Sequence, residues 1–467
     1  QPWWRPLVYT LAIGVYCSSW TFLGAVGTAV ETGWGYLPIY LGPILLVIFG
    51  WPFLRRLLVI SSRNKVTSVA DFIGSRYGKN QRLAAIVTLV VVIGTLPYIA
   101  LQLRGVGIAW ETIDWHDEGR PGFDAISSLM AAMAMAWFSI LFGTRIIDGP
   151  ERLRGMITAV AAESVVKLLA FLVVGGLAIK LLLEQSPEMP DLVPNFSISQ
   201  FTTPFFYTQL ILAAAAIVCL PRQFHVMVVE YHQRSDLRYT RWMLPLYIGL
   251  FAVLVIPLAQ AGTTFFGQSG IASDSYILTL PQWVGSEWVL ALTFIGALSA
   301  ATGMVVVATI ALSIMISNEL IVPVWLRASS KRGHSAADLG KSLRFIRRFS
   351  IVAVLLLGWL LEQLMHNVQG LASMGLISFA AAAQLVPSVL AALYWPKAHS
   401  RGVIGGLLVG MVVWFYCLLL PAILAPDHPL VMQGPHNISW LSPNNLLGTG
   451  WLDPISHGVV WSLFLNT

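Results

Sequence analysis

The chain is 467 residues long, 57 % hydrophobic and only 11 % charged, with 39 Gly, 18 Trp and 22 Phe, whereas soluble domains carry roughly 25 % charged residues. A mean hydropathy of +0.73 excludes a water-soluble domain and describes helices packed in lipid. The net charge of +6 comes with no basic tail and no basic patch interleaved with aromatics, which excludes nucleic acid as a partner.

Apolar runs long enough to span a bilayer fall at residues 7–30, 36–54, 83–110, 125–142, 156–183, 201–220, 242–262, 288–318, 349–364, 368–395 and 402–424. A twelfth, at 455–467, is short. With Gln1 in place of a starting Met, it predicts a chain cut at both ends from a longer protein. The connections alternate in charge. Arg5, the stretches 55–82, 145–154, 222–241 and 327–348, and the pair Lys397 and Arg401 hold 24 of the 28 lysines and arginines; the opposite connections hold Arg120 and are otherwise acidic or neutral. By the positive-inside rule the basic set faces the cytoplasm. Residues 319–348 are expected to be a basic cytoplasmic connection and 425–450 an outer loop.

No P-loop, His-Glu-x-x-His, Gly-x-Ser-x-Gly or Cys-x-x-Cys occurs, so no catalytic motif supports a membrane enzyme. Cys17, Cys219 and Cys417 are dispersed in apolar stretches and read as packing residues without metal-ligand spacing. Transporter, receptor and channel remain, and a channel lacks any repeated pore motif.

A polar residue inside a span costs about 2.5–3.5 kcal/mol on insertion scales, so each one is a functional candidate. Segment one holds Tyr16, Ser18, Ser19, Trp20, Thr21, Gly24 and Gly27. This mix predicts a helix broken where backbone groups can meet a ligand, with close helix packing as the plainer reading. Segment three carries Gln102 and Arg104. The arginine is open to three roles: snorkelling outward, pairing with an outer acid, or gripping a substrate carboxylate through paired hydrogen bonds. Glu163 and Lys167 in segment five lie one helical turn apart, so mutual neutralisation competes with proton carriage. Gln209 in segment six and Gln384 in segment ten suit either packing or substrate binding, and Glu362 and His366 are expected at the outer interface.

The run Ser18-Ser19-Trp20-Thr21-Phe22-Leu23-Gly24-Ala25-Val26-Gly27, followed by 67–78, resembles the first core helix and ensuing cytoplasmic loop of the sodium:solute symporter family. The stretches 378–387, 393–395 and 402–410 resemble its tenth helix and the next. Gly143-Thr144-Arg145, residues 162–167 and Leu220-Pro221-Arg222-Gln223-Phe224-His225 are similar in particular to the transporter-like input domain of CbrA-type bacterial sensor histidine kinases.

The resemblance implies an all-α polytopic membrane protein with a LeuT-like inverted-repeat core of five plus five helices. A single domain would occupy 1–467, with repeats at about 7–183 and 201–395 and additional C-terminal helices at about 402–424 and 455–467. A peripheral first helix would precede Gln1. The substrate site would lie at mid-membrane between segments one, three, six, eight and ten. The resemblance thus points to Ser18, Ser19, Trp20, Gln102, Arg104, Gln209 and Gln384 as substrate-binding residues. Segment six shows only the alanines 213–216 and no glycine, so a break there is expected from the resemblance alone.

Where sodium-coupled relatives place neighbouring hydroxyls on the eighth helix, this chain has Gly303 and Met304, which offer no hydroxyl oxygen to a hard cation. Glu163 replaces an aspartate near that site, Tyr16 stands where proline transporters have Asp, and Lys167 is placed like the fifth-helix lysine of proton-coupled carriers. The resemblance therefore implies a small amino acid as substrate, L-histidine by analogy, with protons rather than sodium as coupling ion. It further implies the bacterial inner membrane as location and C-terminal signalling and kinase domains as missing partners. A receptor that keeps the fold but completes no transport cycle fits the same residues.

Overall fold

The computed structural model describes residues 4–113, 123–143, 154–185, 196–329, 336–365, 370–425 and 427–467. Thr144, Arg145, Arg120 and His366 lie outside the described residues. Helices and turns make up the described residues, with no strand among them.

Segment one is broken as its polar residues predict. Helix α1 (Arg5–Ile13) passes through a 3-10 turn at Gly14–Tyr16 into extended backbone at Cys17, and the chain resumes as a π-helical turn, Trp20–Gly24, and α2 (Ala25–Thr32). The two halves are bent by 74°. Segment two ends earlier than its apolar run. α3 (Pro38–Phe49) stops at Gly50, and α4 (Trp51–Arg63) turns away by 76° with Pro52 in its first turn, where a missing N–H costs nothing. Helix α5 (Val69–Arg76) starts on the Ser68 hydroxyl, which accepts from Asp71 N–H at 3.0 Å.

Three long helices follow: α6 (Gln81–Ile113), α7 (Ala125–Gly143) and α8 (Arg154–Gln185). Segment six is also broken. α9 (Pro204–Cys219) ends at Leu220, which is extended (ψ 135°), and α10 (Pro221–Phe224) with a π turn at His225–Val229 completes it at a 51° bend. Proline has no N–H to continue the helix and disfavours helical backbone at the residue before it, so Leu220-Pro221 makes this break without glycine.

α11 (Arg234–Phe266), the short α12 (Tyr276–Trp283), α13 (Glu287–Met315) and α14 (Val322–Ser329) lead to α15 (Ala336–Leu364). The described residues of the expected basic connection, 319–329 and 336–348, are therefore all helical, with Lys341, Arg344, Arg347 and Arg348 on α15. Segment ten divides at Gln384 into α16 (Leu371–Ala383) and α17 (Val386–Tyr394). α18 (Ser400–Trp414), the short α19 (Leu420–Ile423) and α20 (Pro429–Met432), and the last helix α21 (Pro454–Asn466) close the chain.

Small residues let the broken helices approach their neighbours. A Cβ at Gly42 on α3 would fall 2.7 Å from the Leu210 carbonyl oxygen and 2.8 Å from Ala214 N, both backbone atoms of α9. Backbone cannot swing aside, so Gly42→Ala is expected to lower stability by about 1–3 kcal/mol, the usual cost of overpacking. The midpoint of unfolding in detergent checks this, and an unchanged midpoint would mean that α3 and α9 do not pack this closely.

Candidate functional site

The two breaks lie in the protein interior, and side chains from other helices meet the backbone groups they free. Lys167 of α8, buried, donates from Nζ to the Cys17 carbonyl at 2.7 Å. Gln102 of α6 accepts the Ser19 N–H on Oε1 at 3.1 Å, and the Ser18 hydroxyl bonds the Tyr98 hydroxyl at 2.7 Å. Tyr16 OH donates to the Ile39 carbonyl at 2.7 Å and Tyr40 OH to the Thr21 carbonyl at 2.8 Å. A wall of aromatic rings stands beside them. Phe379 stacks on Tyr98 with centroids 5.5 Å apart and packs on Trp20 at 4.9 Å and Tyr16 at 6.2 Å.

Ser18, Ser19, Trp20 and Gln102 are thus together at the first break. Three other candidates are placed differently. Arg104 is half-buried at the outer end of α6 and donates from Nη2 to the Met365 carbonyl at 2.8 Å. Gln384 lies at the division of segment ten and faces the last helix, giving Nε2–H to Ser462 Oγ at 3.0 Å and accepting Asn466 Nδ2–H on Oε1 at 2.9 Å. Gln209 is buried on α9.

Glu163 of α8 and Gly303 of α13 converge from two helices. A methyl built at Gly303 would run into Glu163 Oε2, while Ser299, one turn earlier on α13, donates its hydroxyl to the Glu163 carbonyl at 3.1 Å. Met304 is fully buried beside them in the chain. No ion pair joins Glu163 to Lys167 among the described residues; the lysine ammonium turns to the broken backbone of segment one. Glu163 Oε2 is buried with no hydrogen-bond partner among the described residues.

Arg222 corrects the charge map. Its place among basic connection residues suggested a cytoplasmic position, yet its side chain is 1 % exposed, immediately after the second break. Its guanidinium carbon sits 4.2 Å from the centroid of the Tyr98 ring. Nε, Nη1 and Nη2 have no hydrogen-bond partner among the described residues, and the same holds for both amide atoms of the fully buried Gln223. Bringing such an ion out of water costs several kcal/mol, of which a desolvated cation–π contact returns about 2. The sequence signal was the Leu220-Pro221 break itself, which turns the next residues inward instead of letting them run to the cytoplasm.

Small residues and a narrow cavity adjoin the second break, lined by Gly94 and Thr95 of α6, Leu220, Pro221 and Ala381 of α16. Among the described residues no cluster of His, Cys, Asp and Glu forms a metal site.

Two broken helices, with unpaired polar groups gathered at the breaks, and a fold shared with a solved symporter define a multi-pass membrane carrier of LeuT-like fold. The sequence pattern of the sodium:solute symporter family matches residues 4–410, and the chain belongs to that family. Over 102 residues it is 33 % identical to an uncharacterized symporter, YodF, of Bacillus subtilis (strain 168), a match that takes in 21 % of this chain and 20 % of that protein. The chain thus spans about a fifth of the curated relative it matches. A Na+-coupled sialic acid symporter, solved in a substrate-bound outward-open state, superposes with a TM-score of 0.65 at 11 % identity, covering 98 % of this chain and 89 % of that one. That likeness shows a shared fold.

Proposed function

We propose that the chain is a proton-coupled carrier for a small amino acid, L-histidine by its resemblance to CbrA-type proteins, and that it is the inner-membrane input of a sensor histidine kinase. The observation that carries the coupling is the Lys167 ammonium on the Cys17 carbonyl. An ammonium there occupies a carbonyl oxygen of the break, and Gly303 and Met304 supply no hydroxyl from the facing helix. Glu163, with a free carboxylate oxygen against Gly303, is the partner that can exchange a proton with its surroundings. The histidine substrate and the kinase rest on the resemblance of residues 143–145, 162–167 and 220–225.

Uptake of labelled L-histidine into proteoliposomes, with sodium and proton gradients imposed separately, tests the reading. Accumulation is expected with the proton gradient alone. Accumulation driven by sodium would overturn the coupling assignment, and saturable binding without accumulation would make the chain a receptor whose ligand shifts a conformational equilibrium.

A further inference from the structure

We propose that Arg222 is the receptor for the carboxylate of the substrate. The inference deepens the carrier reading and rests on it. A guanidinium offers five N–H donors in one plane. The guanidinium carbon lies over the Tyr98 ring, 4.2 Å from its centroid, a contact that uses none of the N–H donors in a hydrogen bond. None of the three nitrogens has a hydrogen-bond partner among the described residues, although the side chain is buried. Buried polar groups in folded proteins are nearly always paired, and a guanidinium pairs best with a planar anion that accepts two parallel N–H bonds.

The surroundings favour an anion over a neutral group. Trp20 Nε1 and the Gln223 amide nitrogen are also buried donors without partners among the described residues; the Gln223 amide oxygen and Glu163 Oε2 are acceptors in the same condition, and Ser19 Oγ, Ser164 Oγ and His225 Nε2 could serve as either. Lys167 adds a second positive charge at the first break. Tyr98 joins the two breaks physically: Arg222 lies over its ring and Ser18 bonds its hydroxyl at 2.7 Å. A carboxylate on Arg222 would therefore report its presence to segment one through Tyr98 and Ser18.

A chloride ion satisfies the same donors, so the experiment separates the two anions. Thermal stabilisation of the purified protein is measured with each of the twenty amino acids and with the matching amines that lack the carboxylate, histamine beside L-histidine among them. The series is run for wild type, Arg222→Met and Arg222→Lys, in chloride and in gluconate. Wild type is expected to bind its preferred amino acid at least about a hundredfold more tightly than the amine, because without the carboxylate the buried guanidinium is left unpaired. Arg222→Met should reduce that preference to a few-fold. Arg222→Lys keeps the charge without the planar fork and should lose about tenfold in affinity, which keeps the test informative where the methionine variant fails to fold.

Equal binding of the amines by wild type, or an undiminished preference in Arg222→Lys, would overturn the inference and leave the carrier reading standing. Stabilisation by chloride that is lost in Arg222→Lys while amino-acid preference is unchanged would also overturn it. Stabilisation by none of the twenty would remove the carrier reading and the inference together.

Discussion

Lys167→Met is expected to abolish proton-driven accumulation while leaving a folded protein that still binds substrate. Lys167 is buried and its one hydrogen bond among the described residues is to a neutral carbonyl, that of Cys17, so methionine removes an ion from the interior and fills nearly the same volume. The Cys17 carbonyl is then left without its donor, a cost of about 1–3 kcal/mol that the discharge of the lysine site offsets. Net stability should change little. Coupling should change a great deal, because an ammonium that holds the extended turn of segment one links the protonation of α8 to the position of α1.

Coupling free energies between two sites run to about 1–3 kcal/mol, or 5- to 150-fold in affinity. Wild-type substrate affinity should therefore shift by that order as the proton site is loaded, and the variant's affinity should be flat with pH. Glu163→Gln is expected to act in parallel, since it removes the acid whose oxygen lies against Gly303. Proton-driven uptake that survives in both variants would end the assignment of coupling to this pair.

Much of this arrangement was legible in the residues. Ser18 and Ser19 announced the break in segment one, because two short polar side chains in an otherwise apolar run have no reason to face lipid. The convergence of Glu163 with Gly303 followed from placing both on the family's pattern, and a slip of one turn on either helix would have separated them. Segment six was harder. A search for glycine missed Leu220-Pro221, where the missing proline N–H and the extended residue before it do the same work. That omission also misplaced Arg222, since a charge count treats every arginine after an apolar run as belonging to a connection.

The roles left open for Arg104, and for Gln384, depended on which neighbour each side chain faces, and sequence spacing carries no such information. Arg104 found the Met365 carbonyl at the outer end of α15, and Gln384 found Asn466 on a helix more than 80 positions away. Asp274 was one of several acids in an outer connection, with nothing in its neighbours to mark it as buried.

Asp274 fastens the connection after α11 to the start of α16, and its carboxyl group should make that closure of one on the other depend on pH. Oδ2 accepts the Leu371 N–H at 2.9 Å and so caps the start of α16, while Oδ1 lies so close to Gly27 that a methyl there would overlap it. One side chain thus ties segment one to segment ten beneath the loop that carries it. Burial raises the carboxyl to about 6, with Glu31 adding to the shift and the Leu371 N–H and Arg104 opposing it. The ordinary value is near 4, so the fastened form holds its proton more tightly than an open or unfolded one.

Stability from this proton is therefore fully present below about pH 4 and is lost as pH rises through about 6, a difference of about 3 kcal/mol across the window. At neutral pH the ionised carboxylate loosens the closure. Asp274→Asn keeps an oxygen for the Leu371 N–H and has no proton to lose, so its unfolding midpoint should vary less between pH 5 and 7.5 and exceed the wild-type value at the upper end. Asp274→Ala should be less stable than Asn by about 1 kcal/mol, the cost of an absent N-terminal cap. Parallel profiles for wild type and Asp274→Asn would show that the group titrating in this range lies elsewhere.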